Sequence, residues 1–200
     1  MREPYLCSLE DILQNAYESI QQLLDVPFMF FGHSMGALIA FELTRLLNRK
    51  RNKLPRVLFV SGARAPQSSC KKKTFDLPQD EFLEEVYRLN GIPEELIREK
   101  GFIDMFLPAL RADFRICQTY AFSTGELLPV PIHVFGGVDD TDVTREDLER
   151  WADHTNCGSS SMLIPGDHFF ITTSPQEVVE RVKRLGLYYF WNQFSRGPAS

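Results

Sequence analysis

The sequence predicts an α/β fold, a mostly parallel sheet with helices on both faces and a helical insertion over one end. Three observations carry this. Short apolar runs bounded by Pro or Gly alternate with segments of helical periodicity, the pattern of strands buried on both faces. A serine lies between two glycines at a strand-to-helix junction, in FFGHSMGALIAFE at residues 30–42. From about residue 64 to 125 the pattern is mostly helical and interrupts the alternation. With 200 residues and 44% hydrophobic content, the chain reads as one domain, 1–200, with a sizeable core.

Taken in order, Ser8 to Leu24 predicts an amphipathic helix. Ser8 and Asp11 make a capping-box-like start, and Leu9, Ile12, Leu13, Ala16, Tyr17, Ile20 and Leu24 recur at helical spacing. VPFMFF at 26–31 is a short apolar run bounded by Pro and Gly and predicts a buried strand. Residues 35–49 return to helical periodicity, and RKRNK at 49–53 marks a solvated exit. PRVLFVSGA at 55–63 is a second strand run ending in a small-residue turn. Within the insertion, Pro78, Gly91-Ile92-Pro93 and Gly101 break the helical pattern. PIHVFGG at 131–137 and SSMLIPG at 160–166 resume the strands. A closing helix is predicted from Thr173 to Leu187, with Ser174 as N-cap and Pro175 in its first turn. The tail, RGPAS, predicts disorder.

Composition excludes several function classes. Formal net charge is −5 and no long basic stripe is present, which argues against nucleic acid as a partner. No apolar run approaches the roughly 20 residues of a bilayer span. The N-terminal MREPYLCSLED carries charges where a signal peptide would be apolar. Cys7, Cys70, Cys117 and Cys157 show no CxxC or Cys/His spacing, so neither a disulfide framework nor a metal site is expected. A cytoplasmic monomer is the expectation.

The chemistry centres on Ser34. Gly32 and Gly36 flank it at two residues either side, and a sharp strand-to-helix turn would hold the serine in a strained conformation that bulky neighbours would obstruct. Its hydroxyl would stand above the strand ends at a helix N-terminus, where the Met35 amide can donate to an oxyanion. A serine needs a base, and the base a carboxylate to orient it. In this architecture the acid and then the histidine follow the serine, each after a later strand. Of four histidines, His33 lies inside the elbow, His133 within a strand run and His154 on a polar helical stretch; only His168 occupies a loop directly after a strand. For the acid, Asp140 suits its loop position best. Asp139 is the rival, and Asp142 reads as a cap for a helix near Thr144.

Four segments together, FFGHSMGALIAFEL, VLFVSGARAP, LPALRADFRICQTY and PGDHFF, resemble the type II thioesterases of polyketide and nonribosomal peptide synthesis. These are stand-alone α/β-hydrolases related to the medium-chain thioesterase of animal fatty acid synthase. The resemblance runs from about Arg2 to the closing helix. It implies Ser34 as nucleophile, Asp140 as the acid (the last position of a G-x-x-D turn from Gly137) and His168 as base. It implies hydrolysis of acyl thioesters on the phosphopantetheine arm of an acyl or peptidyl carrier protein, with no cofactor of the enzyme's own and a helical lid matching 64–125.

Phe75, Phe82, Phe102, Met105, Phe106, Leu107 and Phe114 either line an acyl channel or pack the lid. Lys71-Lys72-Lys73 and Arg49 to Lys53 would meet an acidic carrier protein, if they are more than a solvated surface. Two other functions use the same residues: a carboxylesterase acting on oxygen esters, and a carrier-protein-binding chain without turnover.

The resemblance also implies roughly sixty further residues ahead of Arg2, supplying the first strands and a Gly-rich loop with a second oxyanion donor. On that basis the chain is expected to be part of a longer protein, with the strand at 26–31 at an exposed edge. Losing one oxyanion donor lowers turnover about 100- to 1,000-fold.

Overall fold

The computed structural model describes residues 8–68, 73–89 and 100–191. Four strands, β1 (Phe30–His33), β2 (Leu58–Ser61), β3 (Ile132–Gly137) and β4 (Ser159–Ile164), form one sheet in the order β1-β2-β3-β4, every pair parallel. The helices are α1 (Leu9–Ile20), α2 (Met35–Arg49), α3 (Gln79–Arg88), α4 (Lys100–Thr119), α5 (Arg145–Glu149), α6 (Phe170–Thr173) and α7 (Pro175–Trp191). None of these is long and apolar enough to cross a membrane.

Alternation along the strands builds two cores. Leu58 and Val60 of β2, with Ile132 and Val134 of β3, face Ala37, Ala40 and Phe41 of α2 and the buried Leu148 and Trp151. Val57, Phe59 and Phe135 point the other way and meet Ile164, Phe170 and, on α7, Val178, Val182 and Leu185. Helices therefore cover both faces, as the continuous apolar runs predict. Ser8 caps α1 as expected: its Oγ accepts from the Asp11 amide at 3.1 Å and donates to the Asp11 carboxylate at 2.7 Å.

Several boundaries differ from the sequence expectation. The first strand is Phe30–His33 rather than 26–31. Pro27 has no N–H to donate, and pairing starts only where the Arg56 amide donates to the Phe28 carbonyl at 2.8 Å. It then continues through Gly32 and His33 opposite Val60 and Ser61. β2 stops before Gly62, whose φ of 58° bends the chain away, and β4 stops before Pro165 and Gly166, the latter at φ 123°. The closing helix is split at Ser174 and runs on to Trp191. Ser174 does precede α7, but its hydroxyl donates to the Pro165 carbonyl at 2.9 Å, tying the loop after β4 to the helix.

Within 64–125, α3 and α4 are the described helices, and α4 contains Pro108. Phe82 of α3 is buried edge-on to Phe114 of α4 at 5.1 Å, with the Arg111 guanidinium 4.4 Å over its ring. Gln118 accepts from the Thr74 and Phe75 amides at 2.7 and 3.2 Å, and Arg111 donates to the Phe75 carbonyl at 2.7 Å. Phe82 thus packs the insertion together. Met105 and Phe106 are partly exposed. The side chain of Phe102, Lys71, Lys72 and the tail lie outside the described residues.

Candidate active site

Ser34 sits between β1 and α2 with φ 52° and ψ −119°, a left-handed strained backbone that its side chain resists. The close helix–strand approach that forces this turn is visible at Gly32. A Cβ there would lie 2.1 Å from the Gly36 carbonyl oxygen. The expectation for Gly36 itself is corrected: among the described residues, nothing lies within 4 Å of a Cβ placed on it. It is the main chain of Gly36, not its lack of a side chain, that fills the elbow.

The Ser34 side chain makes no capping bond. Its Oγ instead lies 3.1 Å from His168 Nε2, and His168 Nδ1 lies 2.8 Å from Asp140 Oδ2. The second Asp140 oxygen accepts from the Asp142 and Val143 amides at 2.9 and 3.1 Å. Side-chain exposure is 1% for Asp140 and 9% for His168. Burial pushes the Asp140 carboxyl up, but the hydrogen bond and charge of His168, with those two amides, outweigh it and hold it below the usual carboxylate range. A hydroxyl, an imidazole and an ionised carboxylate in line can pass the hydroxyl proton to the imidazole. Met35 is the first residue of α2, and helix-initial amides have no intrahelical acceptor, so its N–H is available beside Ser34.

The structure separates the competing residues. Asp139 is exposed, and its amide is spent on the Gly166 carbonyl at 2.9 Å. Asp142 does not cap α5. Thr144 does so, in a capping box with Asp147, while Asp142 meets the Arg88 guanidinium at 3.0 Å and its carbonyl accepts from Arg64. His133 sits between Ser160 Oγ at 2.6 Å and the Tyr189 hydroxyl at 2.9 Å, on the α7 face. His154 bonds Gln67 and is ringed by Phe41, Phe122 and Trp151. His33 bonds Ser61 Oγ at 3.0 Å.

His168 is carried by the loop after β4, at the far side of the sheet from β1. That loop must cross the end of β3, and Gly137 makes room: a Cβ there would lie 2.2 Å from the Asp167 carbonyl oxygen. Sequence reasoning did not single out Ser61 or Arg64, although both lie in VLFVSGARAP. Arg64 reaches Asp147 at 3.6 Å and the Asp142 carbonyl, bracing the loop that bears Asp140. Of the basic residues at 49–53, Lys53 pairs with Asp25 and Lys50 lies 4.9 Å over the Tyr17 ring. Among the described residues, no group of three His, Cys, Asp or Glu could hold a metal ion.

Three histidines make stability acid-sensitive. Burial, reinforced by the charge of His168, pushes His33 down from 6.5 to about 4, and burial also lowers His133 and His154. In each case the unfolded chain binds its proton first, so stability is complete above about 6.5 and falls with pH through the native values. His33 alone contributes roughly 2–3 kcal/mol across that window. Urea unfolding at about pH 7.5 and pH 5 measures this, and the midpoint is expected at clearly lower urea in the acid.

Comparisons relate the chain as a whole to known proteins. The thioesterase domain profile matches residues 1–185. The gramicidin S biosynthesis protein GrsT of Aneurinibacillus migulanus is 43% identical over 176 residues, 88% of this chain and 69% of that protein. The medium-chain S-acyl fatty acid synthase thioesterase of Rattus norvegicus is 36% identical over 178 residues, 84% and 66% of the two chains. Among solved structures, ClbQ from the colibactin NRPS/PKS pathway superposes with a TM-score of 0.85 at 29% identity, over 94% of this chain and 80% of that one. The type II thioesterase BorB from the borrelidin biosynthetic cluster gives 0.80 at 29% identity, over 90% and 73%.

Proposed function

The chain belongs to the thioesterase domain family, and on that premise we propose that it is a serine hydrolase removing acyl groups from the phosphopantetheine arm of carrier proteins. The observation that carries this is the hydrogen-bonded line from Ser34 through His168 to Asp140 at the turn between β1 and α2. Its relatives support the pathway context: they include proteins of gramicidin S, colibactin and borrelidin biosynthesis.

The proposed cycle has two steps. Ser34 Oγ attacks the thioester carbonyl while His168 Nε2 takes its proton, and the Met35 amide donates to the oxyanion that forms. Asp140 holds the imidazole in the tautomer with its proton on Nδ1 and stabilises the imidazolium. His168 then gives its proton to the departing pantetheine thiolate, leaving an acyl-serine. Water, deprotonated by the same imidazole, attacks the acyl-serine, and Ser34 leaves as the alcohol with the carboxylic acid released. The cycle uses no cofactor of the enzyme's own. Residues 64–125 serve as a lid on a single domain, and the carrier protein approaches the face that exposes Ser34.

A fluorophosphonate probe tests the nucleophile. Wild type is expected to label at one site and Ser34→Ala not at all, with thioester turnover lost in parallel by about 10⁶-fold. Labelling that persists in Ser34→Ala overturns the assignment. Hydrolysis of acyl-pantetheine compared with nitrophenyl esters separates a thioesterase from a carboxylesterase, and the former is expected to be preferred.

A further inference from the structure

The elbow contains a second imidazole that the proposed cycle does not use. His33 is the last residue of β1, and its side chain points to the α7 face, away from α2. There its ring touches three consecutive residues after β4, His168 and Phe169 of the loop and Phe170 at the start of α6. Ring centroids are 5.2 Å from His168, 5.8 Å from Phe169 and 5.6 Å edge-on to Phe170. From below, the ring rests over Gly62 at the end of β2, where a Cβ would come within 2.6 Å of His33 Cε1. Gly62 also needs its positive φ of 58°, so two independent constraints keep that position empty under the ring.

The two ring nitrogens differ sharply. Nδ1 is anchored 3.0 Å from Ser61 Oγ, and Ser61 is fully buried. Among the described residues, Nε2 is buried without a well-aligned partner, while the ring as a whole feels a hydrogen bond to the His168 main chain. A buried polar atom that is poorly paired destabilises a fold, and an apolar ring of the same shape would avoid that loss. Packing by itself therefore does not account for histidine here.

We propose that His33 is a positioning residue for His168: a ring anchored by Ser61 and seated on Gly62 that fixes the loop carrying the base, so that His168 spans Ser34 and Asp140 together. The inference rests on the proposed role of His168. The loop needs such a shelf, because it crosses from β4 to β1 over the strand ends, at the opposite edge of the sheet. The charged groups that act on His33 are His168 and Asp140. With burial and His168 both disfavouring a second positive charge, His33 stays neutral when His168 accepts the serine proton.

The test compares wild type with His33→Phe, Ser61→Ala and the double variant. His33→Phe keeps the aromatic contacts and loses the anchor; Ser61→Ala is small and keeps the ring. Each is checked for folding by circular dichroism, then assayed for labelling rate, kcat, KM and the acid limb of the pH profile. Both single variants are expected to lower kcat about tenfold with KM nearly unchanged, because a misplaced base slows the proton transfer without weakening substrate binding. The acid limb is expected to move to lower pH, since a poorly aligned Asp140 stabilises the imidazolium less. The double variant should match His33→Phe, as Ser61 acts through His33.

A folded His33→Phe with wild-type kcat and acid limb overturns the inference. So does a fall in kcat with an unmoved acid limb, the mark of general loosening. If His33→Phe does not fold, Ser61→Ala decides alone by the same criteria. A wild type that neither labels nor turns over thioester overturns the functional reading instead, and the inference with it.

Discussion

Asp140→Asn is expected to lower thioester turnover by about 10⁴-fold with little change in KM, while Asp139→Asn keeps wild-type turnover. The two aspartates are adjacent in sequence and chemically identical, so the difference is one of placement. Asp140 is buried, bonded to His168 Nδ1 at 2.8 Å and held by two backbone amides. An amide in its place offers an N–H or a neutral oxygen to Nδ1. It therefore favours the wrong tautomer, or leaves the imidazolium without its counter-charge. Asp139 is exposed and does not bond the imidazole. Steady-state kinetics on an acyl-pantetheine, with unfolding curves to show that both variants fold, checks this pair. Equal losses in the two variants would sink the assignment of Asp140.

The second large effect concerns the elbow glycines. Gly32→Ala is expected to destabilise the fold by about 3–5 kcal/mol, or to prevent folding, because its Cβ would meet main-chain atoms of Gly36 and Ala37 at 2.1 to 2.6 Å. Backbone cannot rotate away as a side chain can, so the strand and helix would have to separate. Gly36→Ala is expected to do the opposite. Gly36 lies in the first turn of α2 with open space around its Cβ position among the described residues, and alanine restricts the unfolded chain. A gain of about 0.5–1 kcal/mol follows. Denaturant unfolding of the two variants, side by side, tests both signs in one experiment.

Much of this site was legible in the sequence because its signals are local. GHSMG at the end of an apolar run, Asp140 four residues into a loop and His168 directly after a strand each follow from position along the chain. Element boundaries were less legible. β1 was predicted four residues early because an apolar run marks burial, not hydrogen bonding; Pro27 delayed the pairing and Gly32 did not end it. Ser174 was expected to cap the closing helix and instead bonds Pro165, because a hydroxyl takes whichever partner the surrounding loop brings to it.

By itself the sequence determined the α/β alternation, the tight strand-to-helix turn at Ser34, the chain order of Ser34, Asp140 and His168, and the likeness to thioesterases. Those depend on residues near one another in the chain, where turn chemistry and periodicity act. Only the tertiary structure decided between Asp139 and Asp140 by contact, since neighbouring residues point in different directions from one loop. It alone distinguished Gly32, which faces a backbone carbonyl, from Gly36, which faces open space. It alone joined Ser61, Gly62 and His33 beneath a loop more than a hundred residues away in sequence. Parallel strand order sets such meetings, and no local pattern records which loops a sheet will bring together.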